Sequence, residues 1–126
     1  MSDSLLRRAL IIIAALTVGT GAAQVLAPRR MLAPLAAEDD ATTRHFFGTV
    51  GMFMVVVGGG LLNALLRPRS DPGVVFFAGL QKVGASAAVA LGVRRRIFAP
   101  LALTVAAFDL FSGVLAFLYW RRVRGR

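Results

Sequence analysis

Residues 45–66 read HFFGTVGMFMVVVGGGLLNALL, a stretch without a single Lys, Arg, Asp or Glu. Coiled as an α-helix rising ~1.5 Å per residue, it reaches about 33 Å, enough to cross the ~30 Å hydrocarbon core of a bilayer. Three further apolar stretches of similar length, 5–26, 74–93 and 97–120, fill most of the remaining chain. Lipid offers no partner for a peptide group, so each span must close its own backbone hydrogen bonds and is expected to be helical. The fold class read from this pattern is all-α, an integral membrane four-helix bundle, with residues 1–126 forming a single transmembrane domain.

Composition points the same way. Hydrophobic residues make up 57% of the 126 residues and charged residues 17%, and the mean hydropathy is +0.72. A soluble domain of this size has too little interior to hide so much apolar surface. The net charge of +9 would elsewhere raise nucleic acid as a partner. Here Arg7 and Arg8, Arg29 and Arg30, Arg67 and Arg69, Arg94 to Arg96 and Arg121 to Arg126 border the apolar runs, where cations meet lipid headgroups. Membrane lipids are therefore the expected partners, and nucleic acid is not. There is no cysteine and only one histidine, His45, which removes thiol chemistry and haem attachment through cysteines. A single imidazole per subunit cannot supply both axial ligands of a b-type haem. No cofactor, metal set or catalytic residue is read from the chain.

Helix boundaries carry ordinary punctuation: Pro28 closes the first span, Thr42 and Thr43 offer caps for the second, Pro68 stops it, and Asp71-Pro72 opens the third. The connection 28–44 is the longest, with the acidic run Glu38-Asp39-Asp40, and its 31–37 part is expected to lie along the membrane interface. The other two connections are expected to be tight, making neighbours antiparallel. Arg7-Arg8, the apolar run 9–18 and Gly21-Ala22-Ala23 also fit the plan of a secretory signal, although three remaining spans would leave an unpaired hairpin. The N-terminal tail, the link after the second span and the C-terminal tail hold eight arginines against six on the other face. That difference favours both termini in the cytoplasm of a bacterium, the chain being a multi-pass protein of its inner membrane.

Lys82 and Asp109 are the charged residues well inside the spans, and such residues are functional candidates by default. Both lie roughly 16 to 18 Å from the same membrane face, so they can meet. Ala78, Ala85 and Ser86 share the Lys82 side of its helix, and Ala102, Ala106, Gly113 and Ala116 share the Asp109 side. The pair reads either as a structural tie that fixes helix register or as a proton or cation site. Small residues recur every fourth position at Ala15, Gly19 and Ala23 and at Gly84, Ala88 and Gly92, a pattern that brings membrane helices close. The second of these ladders lies on the side away from Lys82 and offers a face for a second copy or a membrane-complex partner. Gly58-Gly59-Gly60 is expected to form a packing notch, with a hinge or a broken helix as alternatives. His45 with Arg44 and the loop acids makes a surface feature. Gln24 and Asn63 fall near span ends, where water is expected to satisfy them. Phe46-Phe47, Phe76-Phe77, Phe98 and Tyr119-Trp120 fall at span ends as interfacial anchors. Thr17, Thr20 and Ser112 lack a histidine at matching depth to activate them.

Leu6-Arg7 opening the first span, Ala27-Pro28-Arg29 closing it, His45-Phe46-Phe47-Gly48 with Gly51-Met52 in the second, Gln81-Lys82 in the third and Phe108-Asp109-Leu110 in the fourth resemble small bacterial four-span proteins of the DoxX-like kind. The resemblance implies a four-helix membrane fold and fixes no activity. No charge lies between Arg8 and Arg29, so the first-helix acidic residue of small multidrug resistance transporters is missing.

The expected function is a non-catalytic membrane module, either an assembly partner or a binder of lipid-like molecules. The alternative is a small oligomeric transporter or ion pathway using Lys82 and Asp109. An enzyme acting on lipid or quinone has least support, because Lys82, Asp109 and His45 do not converge at one depth.

Overall fold

In the computed structural model, which describes residues 1–126, the chain forms α1 (Asp3–Leu26), a short α2 (Pro28–Leu32) continued by a 3-10 turn (Ala33–Leu35), α3 (Ala41–Leu66), α4 (Pro72–Arg94) and α5 (Ala102–Val123). The four long helices are each long and apolar enough to cross a membrane. Only 28 of the 126 residues are buried, and Ile12, Phe53, Val56, Phe77 and Phe111 stand exposed around the bundle. An apolar surface of that extent calls for lipid around it, and the protein is a multi-pass membrane protein.

Local chemistry sets the helix ends. Ser2 and Asp71 accept amide protons from the first turns of α1 and α4. Asp40 caps α3 through the Thr43 amide at 2.7 Å, so this helix starts four residues earlier than the apolar run alone indicates, and its cap is Asp40 in place of Thr42 or Thr43. The Thr43 amide also holds the Asp40 carboxyl below the ordinary carboxylate range. The fourth span begins at Ala102 rather than Ile97. Residues 95–101 form a link in which the Ile97 and Phe98 amides fold back onto the Gly92 carbonyl, Arg96 takes a left-handed φ of 59°, and Pro100 defers the helix. This connection is longer than the tight link expected.

The helices associate as two antiparallel pairs, α1 with α3 and α4 with α5, which meet each other more sparsely. Glycine permits each pair. A Cβ placed on Gly51 would sit 2.5 Å from the Gly21 carbonyl oxygen, and one placed on Gly113 would sit 2.7 Å from Val83 Cγ2 and 3.2 Å from the Gly79 carbonyl oxygen. These contacts lie at positions other than the two four-residue ladders. An added Cβ at Gly19 or Gly84 meets nothing within 4 Å, whereas one at Gly92 meets the Phe98 ring. Ala15 and Ala88 are exposed and Ala23 is half-buried, so within one chain the ladders contribute little beyond Gly92. The glycine run 58–60 lies in unbroken helix. Gly58 packs on Thr17 and Val18, while Gly59 and Gly60 face open space.

The two pairs share an apolar core chiefly at one end. Leu6, Leu10 and Ile13 of α1, Leu61 and Leu65 of α3, Val75 of α4, and Leu115, Tyr119 and Val123 of α5 belong to one core cluster, all in the half of the bundle that carries both termini. Polar ties close that end. Arg7 donates to the carbonyls of Leu65 and Arg67 at 2.6 and 3.0 Å, Ser70 and Tyr119 share a 3.0 Å hydrogen bond, and Asp3 pairs with Arg122 and Arg126.

Gly51→Ala should therefore lower the stability of the detergent-solubilised protein by about 1–3 kcal/mol through overpacking against α1. Gly19→Ala and Gly84→Ala should be neutral or slightly stabilising, since each gains helix propensity without a clash. Thermal unfolding of the three variants in the same detergent checks the ordering.

Candidate functional site

The polar residues of the spans gather where the packed half of the bundle ends. Lys82 Nζ on α4 lies 3.1 Å from Asp109 Oδ1 on α5 and donates to Thr17 Oγ1 on α1 at 2.7 Å. Thr17 in turn donates to the Ile13 carbonyl one turn back at 2.8 Å. The Phe108 ring covers the ammonium with its centroid 5.5 Å away. Lys82, Asp109 and Thr17 are 5%, 8% and 3% exposed, so the ammonium is held inside the bundle and does not snorkel to the interface.

The helix pattern explains the convergence. Ala78, Lys82 and Ser86 follow each other at four-residue spacing on the buried side of α4, and Ala102, Ala106, Asp109, Gly113 and Ala116 alternate four- and three-residue steps on the buried side of α5. Ser86 donates to the Ala106 carbonyl at 2.7 Å, fixing the register of the pair one turn from Lys82. Ser112 donates to the Phe108 carbonyl of its own helix, which leaves it as a packing residue.

Beyond this cluster the two helix pairs diverge and flank a partly open cavity of about 530 Å³. Lys82, Asp109, Thr17 and Gln81 line its floor, and Leu16, Val50, Met54, Val89 and Val105 are among its mostly apolar walls. Its far end is covered by Met31, Leu35 and Phe98, from the α2 segment and the α4–α5 link. These two pieces are joined by a 2.7 Å hydrogen bond from the Ala99 amide to the Leu35 carbonyl. The segment expected to lie on the membrane interface thus forms the end wall of this space. Gln24 also differs from expectation. It is buried and donates to the Phe47 carbonyl at 3.1 Å, tying α1 to α3 where water was expected to satisfy it.

Outside this space, Asp39 pairs with Arg29 and Arg44 at 3.1 and 3.5 Å, and His45 sits edge-on to Phe46. Neither approaches Lys82 or Asp109. Sequence reasoning weighed Thr17 only as a nucleophile and missed its role as the third member of the cluster. The signal was present: Leu6, Leu10, Ile13, Thr17, Gly21 and Gln24 form one inward stripe at three- and four-residue spacing.

The fold and the site together define a multi-pass membrane protein with a buried polar cluster at the base of an apolar cavity. In comparison with known proteins, the chain matches no family model, no curated protein and no solved structure.

Removing one charge strands the other in hydrocarbon. Asp109→Asn alone should lower stability in detergent by about 3 kcal/mol, and Lys82→Met combined with Asp109→Leu should recover most of that loss. Thr17→Val, which removes one acceptor and leaves the ion pair, should cost about 1 kcal/mol. A double-mutant cycle on thermal unfolding reads all three.

Proposed function

We propose that this protein is a non-catalytic multi-pass module of the bacterial cell membrane that binds a lipid-like molecule between its two helix pairs. The carrying observation is the cavity of about 530 Å³ with apolar walls and the Lys82, Asp109 and Thr17 cluster at its floor. Small-molecule sites have this character, being concave and mostly apolar with a few converging polar groups. The volume falls within the ~300–1,000 Å³ range of such sites.

The same geometry lends less support to an ion pathway. The half of the bundle between the cluster and the terminal face is packed with Leu6, Leu10, Ile13, Leu61, Leu65 and Leu115, which offer no polar relay. An enzymatic reading gains nothing from Ser112, whose hydroxyl is occupied by its own helix. The excess of arginines on the terminal face favours cytoplasmic termini. The open faces at Gly19 and Gly84 favour a homo-oligomer or a partner helix packed there. The motif resemblance to DoxX-like proteins accords with a small four-span module of this kind.

Native mass spectrometry of the protein released from membranes should show a retained small molecule. Ala85, which lines the cavity, is the site for a blocking change. Ala85→Phe should abolish retention while the protein unfolds within a few degrees of the unaltered chain. Equal retention by both proteins, or none by either, would remove the binding reading.

A further inference from the structure

The route by which a ligand reaches the cavity follows from which of its walls are closed, and the route limits the ligand's chemistry; both steps rest on the binding reading above. Toward the terminal face the space ends at the Lys82 cluster, with the packed core of Leu6, Leu10, Leu61 and Leu65 beneath it. Toward the opposite face it meets Met31, Leu35 and Phe98, where the Ala99 amide is bonded to the Leu35 carbonyl. Both ends are walled by protein. The sides differ. The helix pairs face each other along two seams, α1 with α5 and α3 with α4. Along the first, the lining residues Leu16, Val105 and Phe108 are 53%, 45% and 37% exposed, and Thr20, one turn from Leu16, is exposed as well. Along the second, Met54, Gln81 and Ala85 are half-buried, and exposure is confined to Val50 and Ala88. The space therefore opens mainly between α1 and α5, into hydrocarbon.

This seam restricts what can pass. Thr20 follows Leu16 toward the C-terminal end of α1, and Val105 lies near the start of α5, so the opening is in the membrane half opposite the two termini. A molecule entering there leaves the acyl chains of that leaflet and stays at hydrocarbon depth until its polar group reaches Lys82 and Asp109. A charged or zwitterionic head would have to shed its water along that path. At its end no counter-ion waits, because Lys82 and Asp109 already neutralise each other. Phospholipids also carry their heads at the membrane surface, whereas the polar groups of this cavity lie at its deep end. Phe108 stands in the doorway, exposed at the seam with its ring 5.5 Å from the ammonium. We infer that the cavity is loaded sideways from the leaflet opposite the termini, through the α1–α5 seam and past Phe108, by an uncharged lipid whose small polar group comes to rest at the Lys82–Asp109 pair.

The chain has no cysteine of its own, so a cysteine pair can close one seam at a time. The test uses the full chain in detergent with Leu16→Cys and Val105→Cys, joined by a short bismaleimide, and hexadecyl acetate carrying a diazirine on its chain as the probe. Peptide mass spectrometry after irradiation reads labelling of Met54 and Val89, inside the cavity. Closing the seam before the probe is added should lower that labelling roughly tenfold against the same variant left open, since the binding-competent fraction is removed. Closing it afterwards should trap the probe through washing with probe-free detergent. Thr20→Cys with Val105→Cys gives a second closure of the same seam. In the unaltered protein the acetate should label Met54 and Val89 roughly tenfold more than phosphatidylcholine carrying the same diazirine. If closing Val50→Cys with Ala88→Cys, or locking the end wall with Leu35→Cys and Ala99→Cys, excludes the probe while closing the α1–α5 seam does not, the route is overturned and binding stands. Equal labelling by phosphatidylcholine overturns the uncharged class. If neither probe labels the cavity of the unaltered protein, the route and the binding reading fall together.

Discussion

A lysine ammonium placed in the middle of a membrane must be satisfied by the protein, and the arrangement of this bundle follows from how Lys82 is satisfied. Its partners come from two other helices, Asp109 on α5 and Thr17 on α1. The contact with Asp109 lies within the α4 and α5 pair. The contact with Thr17 crosses between the pairs and is the polar tie that holds them together at that depth. Toward the terminal face the pairs close into an apolar core; away from it they separate. The ammonium stands at the boundary, where it can be enclosed by protein and still border a space.

Glycine makes that geometry attainable. Contact at Gly21 and Gly51 brings α1 against α3, and contact at Gly79 and Gly113 brings α4 against α5, close to the ion pair in sequence. Without side chains at these points the helix backbones approach, and dispersion contacts between them stand in for the hydrophobic effect that lipid removes. Each pair can then be stable on its own contacts. The space between the pairs does not have to be filled by protein, and the α2 segment with the α4–α5 link closes its end through a single backbone hydrogen bond, Ala99 to Leu35.

Much of this was legible in the residues. The four spans follow from runs of apolar residues long enough to cross a bilayer, and the depths of Lys82 and Asp109 follow from the helical rise. What escaped was information carried by long-range packing. Thr17 reads as one of several hydroxyls until α1 is set against α4. The ladder Ala15, Gly19 and Ala23 matches a packing pattern as well as Gly21 does, and only the rotation of α1 about its axis separates them. The start of α5 was misplaced because Ile97 and Phe98 are apolar enough to extend the span, whereas the backbone turns there onto Gly92 and Pro100 delays the helix. The cavity has no sequence signal, since it is a consequence of two helix pairs diverging. Gln81 was noticed only as the neighbour of Lys82.

The cavity opens toward the surrounding bilayer, since its wall residues Leu16, Val50 and Val105 are each about half exposed. Water would fill a polar space of this size, but these walls are mostly apolar and offer water too few partners. A ligand of the kind proposed would match the walls with apolar surface and the floor with a small polar group. Bilayer chains satisfy the first condition alone. A molecule that satisfies both would replace them at a gain equal to the hydrogen bonds it makes with Lys82 and Asp109, and that difference is the physical basis on which the proposed site would select a ligand from the lipid around it.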